Sequence, residues 1–226
     1  ARSSNGGKSW YTAQPIREAS GYAPTLALAT DGTIWVAWQS DSDLSLEAGA
    51  DIYASRQDEG GWTAPEKVSD PSTGDSRSPD IAYGSDGRIH LVWEEEATDG
   101  SLSVWYARKA DPLGAWSTPR ALSLSETASQ PCLALGTDGS AYVAWDAGGS
   151  LVFYDILGDG VSETAEQIAS NEVGIRDVAL ALDGENRAYA VWGARNQPGA
   201  WELFSSRRLA GPLPTPTAPP QETKVA

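Results

Sequence analysis

The chain has no methionine, one cysteine, one histidine and two phenylalanines among its 226 residues. Each scarcity excludes something. A lone Cys132 closes no intrachain disulfide and has no second thiol for zinc or redox chemistry, so it is expected to pack as a small apolar residue. With His90 the only imidazole, a Ser-His-Asp arrangement would have to be built around that one position. No glycine-rich phosphate loop is present either, because the glycines follow aspartates in turn-like pairs. Basic residues are outnumbered, 16 Lys and Arg against 31 Asp and Glu, for a net charge of −15. Releasing counterions from phosphates needs a cationic face, so nucleic acid is excluded as a partner. No apolar run approaches the ~20 residues that span a bilayer. A chain without Met lacks its initiator, which marks it as a processed form or a piece of a longer product.

What is plentiful is ten Trp and 23 Gly, and their placement is periodic. Four segments align: PTLALATDGTIWVAWQ from Pro24, PDIAYGSDGRIHLVWE from Pro79, PCLALGTDGSAYVAWD from Pro131 and RDVALALDGENRAYAVWG from Arg176. Asp-Gly pairs begin at Asp31, Asp86, Asp138 and Asp183. A Trp closes each unit at Trp38, Trp93, Trp145 and Trp192, with two extra residues in the fourth. Period-two alternation on either side of an Asp-Gly turn predicts a β-hairpin. A third strand follows at Asp51, Ser103, Leu151 and Glu202, and a fourth at Trp62 and Trp116. Four-stranded antiparallel units at this period predict an all-β protein, a β-propeller. The last unit has three strands and the N-terminus begins with an orphan strand near Trp10, so four blades closed into a ring by that strand are expected over residues 1–210. A larger ring, or two chains forming one ring, are the alternatives. Ala27, Ala82, Ala134 and Ala179 are assigned one equivalent place near a narrow axis. Residues 211–226, with five prolines, read as a linker or tail.

Residues Ser3 to Trp10, SSNGGKSW, resemble the Asp-box of bacterial-neuraminidase repeats, S-x-D-x-G-x-T-W, with Asn5 for Asp and Ser9 for Thr; degenerate versions end at Trp62 and Trp116. The resemblance implies a sialidase-like propeller in which the box is a structural turn. It also sets what a sialidase would need: three arginines for the substrate carboxylate, a tyrosine assisted by a glutamate, and an aspartate acid/base. Arg56, Arg108 and Arg207 recur at one place at the end of the third strand, one per blade, and do not form that set.

The chain is therefore expected to lack catalytic residues and to act as a binding or assembly module, extracellular or at the cell surface. Its partner would be a protein or cell-surface component, or a glycan. A fragment of a sialidase-like glycoside hydrolase and a lectin are the alternatives, the lectin using Tyr22, Trp105 or Trp201 as stacking platforms. Binding is assigned to an acidic loop face carrying Asp41, Asp43, Glu94, Glu95 and Glu96, and to Asp80 and Asp177, taken to share the first position of the innermost strand. No cofactor is expected. Spaced carboxylates such as Asp41 and Asp43 suit Ca²⁺ in residue type but lack EF-hand spacing. His90, aligned with Trp35, Tyr142 and Tyr189, is expected to pack as one more ring.

Overall fold

A computed structural model describes residues 3–13, 15–16, 21–41, 49–58, 61–69, 74–123, 127–156, 165–170, 173–195 and 199–208. Every regular element among them is a strand, and the sixteen strands form four antiparallel sheets. The first holds β1 (Tyr22–Leu28), β2 (Ile34–Asp41), β3 (Ala50–Asp58), β4 (Gly61–Trp62) and β5 (Glu66–Lys67). The second holds β6 (Asp75–Tyr83), β7 (Ile89–Glu96), β8 (Leu102–Lys109) and β9 (Arg120–Ala121). The third holds β10 (Ala128–Leu135), β11 (Ala141–Ala147), β12 (Leu151–Ile156) and β13 (Glu166–Ala169). The fourth has three strands, β14 (Val173–Leu182), β15 (Ala188–Arg195) and β16 (Trp201–Arg207). The fourth strand of the first two sheets is only a stub, because Pro65 and Pro119 withhold the N–H that a ladder needs.

Alternation explains how the sheets stack. In β11, Ala141, Val143 and Trp145 join a buried cluster against the second sheet, whereas Tyr142 and Ala144 join another against the fourth. The middle sheets are covered on both faces, so their strands read as almost unbroken apolar runs. Trp38 stacks on Tyr53, and Trp192 on Phe204, with centroids at 6.1 and 5.9 Å. Trp35, His90, Tyr142 and Tyr189 do occupy one register position, and Arg56, Arg108 and Arg207 sit opposite Trp35, His90 and Tyr189 respectively.

Two expectations fail. The ring is not closed by the N-terminal segment: residues 3–13 form no strand, the fourth sheet ends at β16, and Trp10 is 63% exposed. Among the described residues no buried cluster joins the fourth sheet to the first. The segment's aromatic side chains stay in solvent instead of entering a sheet interface, so it is not a clasp.

The fourth repeat is also shifted. In the first three hairpins the left-handed turn residue is Gly32, Gly87 or Gly139; in the fourth it is Asn186, two residues beyond Gly184. Asp183 N–H donates to the Arg187 carbonyl as Ala29 N–H does to Thr33. Asp183-Gly184 therefore mimics the repeat's Asp-Gly without holding its place, and the first strand slides by two residues. Ala181, opposite Tyr189, is the equivalent of Ala27, Ala82 and Ala134, in place of Ala179.

Candidate functional site

The ends of the innermost strands share an unusual backbone. Ala23, Ser78, Gln130 and Asp177 all have positive φ, between 47 and 55°, and each lies nine residues before the left-handed residue of its hairpin turn. Each coincides with a break in the ladder between first and second strands. Non-glycine residues avoid this region at a cost of about 1–2 kcal/mol, and such strain concentrates at functional sites. The bulges at Gln130 and Asp177 turn backbone N–H groups toward the preceding blade. Gln130 N–H donates to Glu94 Oε2 at 3.0 Å, and Asp177 N–H donates to Gln130 Oε1 at 2.9 Å. A relay thus runs round one mouth of the axis from the second blade to the fourth.

Asp80 lies just inside this mouth. It accepts from Thr25 Oγ on β1 at 3.1 Å and from Leu133 N–H on β10 at 2.8 Å, tying three innermost strands together. Burial raises its pKa above the ordinary carboxylate value, against the lowering effect of those hydrogen bonds. The same burial, with the Asp80 charge beside it, pushes the Cys132 thiol up to about 12, so the thiol is inert. Asp177 does not stand with Asp80: it is the counterpart of Gln130, while Ala179 takes the place of Asp80. The expected axial pair of carboxylates is dissolved by the two-residue shift.

The acidic-face residues are dispersed as well. Glu95 is 2% exposed and accepts from Ser76 Oγ at 2.6 Å and Trp93 Nε1 at 3.0 Å, so it braces the core. Glu96 forms an ion pair with Arg77, which also binds Asp75 at 2.6 Å. Glu94 is on the mouth. Asp41 closes β2, and Asp43 and residues 211–226 lie outside the described residues. Among the described residues no three His, Cys, Asp or Glu side chains converge as a metal site.

Two features escaped the sequence reading. Asp146 holds on the third blade the place of Glu94 on the second, both directly after the repeat Trp, and burial raises its pKa. That signal was visible in the alignment. The other is a cavity of about 410 Å³ lined by Gln130, Gly174, Ile175, Arg176, Arg195 and Trp201, whose residues come from four strands. Trp201 is no open sugar platform, since the Arg176 guanidinium lies 3.4 Å from its ring centre. Trp105 is half-buried, its indole N–H donating to Ser103.

No protein-family model matches the sequence, and no curated protein is similar to it in sequence. Solved structures are similar in fold. An endo-arabinase from Bacteroides thetaiotaomicron superposes with a TM-score of 0.54 at 11% identity, over 85% of this chain and 77% of that one. The Bacteroides ovatus protein described as xyloglucan PUL GH43B gives 0.53 at 19%, over 91% of this chain and 43% of that one. A Hadza microbial sialidase gives 0.50 at 15%, over 76% and 39%. The chain has a sialidase-like β-propeller fold. It spans about two fifths of the length of the sialidase and of the Bacteroides ovatus protein. These similarities correct the expectation of a non-catalytic module. That expectation rested on the missing sialidase arginine and tyrosine set, yet a propeller of similar fold is an endo-arabinase, so the lack of that set is no ground for excluding catalysis from this fold.

Proposed function

We propose that this propeller is part of a glycoside hydrolase acting outside the cytoplasm on a pentose-containing polysaccharide. The observation that carries the reading is Asp80, a half-buried carboxyl with a raised pKa where three blades meet, under a rim bearing Glu94. Glycosidic hydrolysis uses one carboxyl that holds a proton and one that is ionised. Burial biases Asp80 toward the first role; Glu94, which accepts from Gln130 N–H on the rim, is the second carboxyl. The fold similarity to an endo-arabinase supports the substrate class, as does an α-L-arabinofuranosidase from Podospora anserina in complex with cellotriose, TM-score 0.51 at 15% identity over 88% of this chain and 69% of that one. The Ser3 to Trp10 turn is read as a degenerate Asp-box: Asn5 Oδ1 accepts from Ser9 N–H at 3.0 Å and Ser3 Oγ at 2.9 Å.

The test is release of reducing ends from arabinan, arabinoxylan and xyloglucan. Asp80→Asn and Glu94→Gln should each lower the rate by roughly 10²–10⁴-fold, and Glu94→Gln should leave the melting temperature in place. No release from any of the three by the wild type, or full rates in both variants, refutes the reading.

A further inference from the structure

The fourth blade inverts the charge arrangement of the second. On the second blade Arg77 sits opposite Glu94 and is neutralised by Asp75 and Glu96. Its counterpart on the fourth blade is Arg176, one residue before the left-handed position in each case. Arg176 faces Gly193 where Arg77 faces Glu94. The place of Asp75 is taken by Gly174, and that of Glu96, three residues after the repeat Trp, by Arg195. Every acidic partner has become a glycine or a second arginine. Among the described residues no carboxylate forms an ion pair with Arg176 or Arg195, in a chain of net charge −15.

The surroundings are built to hold these cations. Arg176 stacks on Trp201 at 3.4 Å, and Arg195 lies 4.9 Å from the same ring. A guanidinium stacked on an indole uses its face and keeps its N–H edge free, a fork that matches a carboxylate. The cavity they line, about 410 Å³, is of the size that takes one or two sugar rings. Through Gln130 it joins the relay that reaches Glu94.

We infer that the Arg176, Arg195 and Trp201 cavity binds the carboxylate of an acidic sugar, a uronate residue of the polysaccharide, which takes the place of the acids missing from this blade. The inference rests on the hydrolase reading for its sugar and on the arginine geometry for its charge.

Calorimetric titration with trigalacturonate, its methyl ester and inorganic phosphate separates these. The free acid should bind at least tenfold more tightly than the ester, and phosphate should leave its Kd within twofold. Arg176→Gln should weaken binding at least tenfold. Arg195→Glu, which rebuilds the arrangement of the second blade by giving Arg176 an internal partner, should abolish binding without lowering the melting temperature. Equal binding of acid and ester, displacement by phosphate, no binding of either oligosaccharide, or unchanged affinity in both variants overturns the site. Arabinan hydrolysis with no preference for the acid would sink the site and spare the hydrolase; preferential binding of the acid with no polysaccharide hydrolysed would do the reverse.

Discussion

His90 is enclosed on β7 with Nδ1 2.8 Å from the Tyr106 hydroxyl. Burial lowers its pKa to about 4, the nearby Arg108 and Arg88 adding to the effect and Asp86 opposing it. Burial likewise pushes Tyr106 up to about 12, so a protonated phenol and a neutral ring share this hydrogen bond. The unfolded imidazole takes up its proton near 6.5 while the native one waits until about 4. Stability is therefore full above pH 6.5 and falls as pH drops toward 4, by roughly 3 kcal/mol from this residue. As the only histidine, its ring signals can be followed by NMR without assignment. They should titrate near 4, and titration above 6 would contradict the packing. A second residue-scale expectation concerns strain. Ala23 has φ 47°, so Ala23→Gly should raise unfolding free energy by up to about 1 kcal/mol, the reverse of the usual alanine-to-glycine effect; denaturant midpoints check it.

Between elements, Lys109 on β8 is 1% exposed, bonded at 2.6 Å to Glu66 on β5 and lying 5.4 and 5.6 Å from the rings of Trp35 and Trp116. It stitches the second blade to the first. Removing the partner strands a buried cation, so Glu66→Ala should cost about 2 kcal/mol or more, whereas Lys109→Met, which keeps the stem among the indoles, should cost under about 1. Equal losses in thermal unfolding would show the cation to be unimportant. This is also the scale at which the sequence is most and least readable. The hairpins, the interblade Trp and the third strands are written in local patterns of two to seven residues. The slide of the fourth repeat is not, because Asp183-Gly184 imitates a turn whose left-handed place belongs to Asn186. Nor is the Arg176 and Trp201 contact, which joins strands whose neighbours are decided by pairing and not by sequence distance. Glu95 looked like one acid in a surface run of three. Its burial follows from strand alternation after Trp93, and the Ser76 hydroxyl that satisfies it lies on another strand.

For the molecule as a whole, four blades form an arc whose interfaces are filled and whose outer faces are not. Leu26 and Leu28 on β1 are 67% and 64% exposed, and Val191 and Leu203 on the fourth sheet 42% and 82%. Inside the arc, the corresponding faces carry side chains such as Trp93 and Val143 with no exposure at all. Exposed apolar side chains of this kind bind apolar probes and invite association. Replacing Leu26 and Leu203 with Lys should then cut fluorescence of a bound naphthalene-sulfonate dye severalfold. Unfolding free energy should stay within about 0.5 kcal/mol of the parent, because no buried contact is lost. The contrast with an interior position makes the measurement decisive. Trp93→Ala empties a site packed between the first and second blades and should cost about 3–5 kcal/mol. If the double Lys variant unfolds as easily as Trp93→Ala, the two outer faces are covered in solution, and the arc described here closes on something apolar.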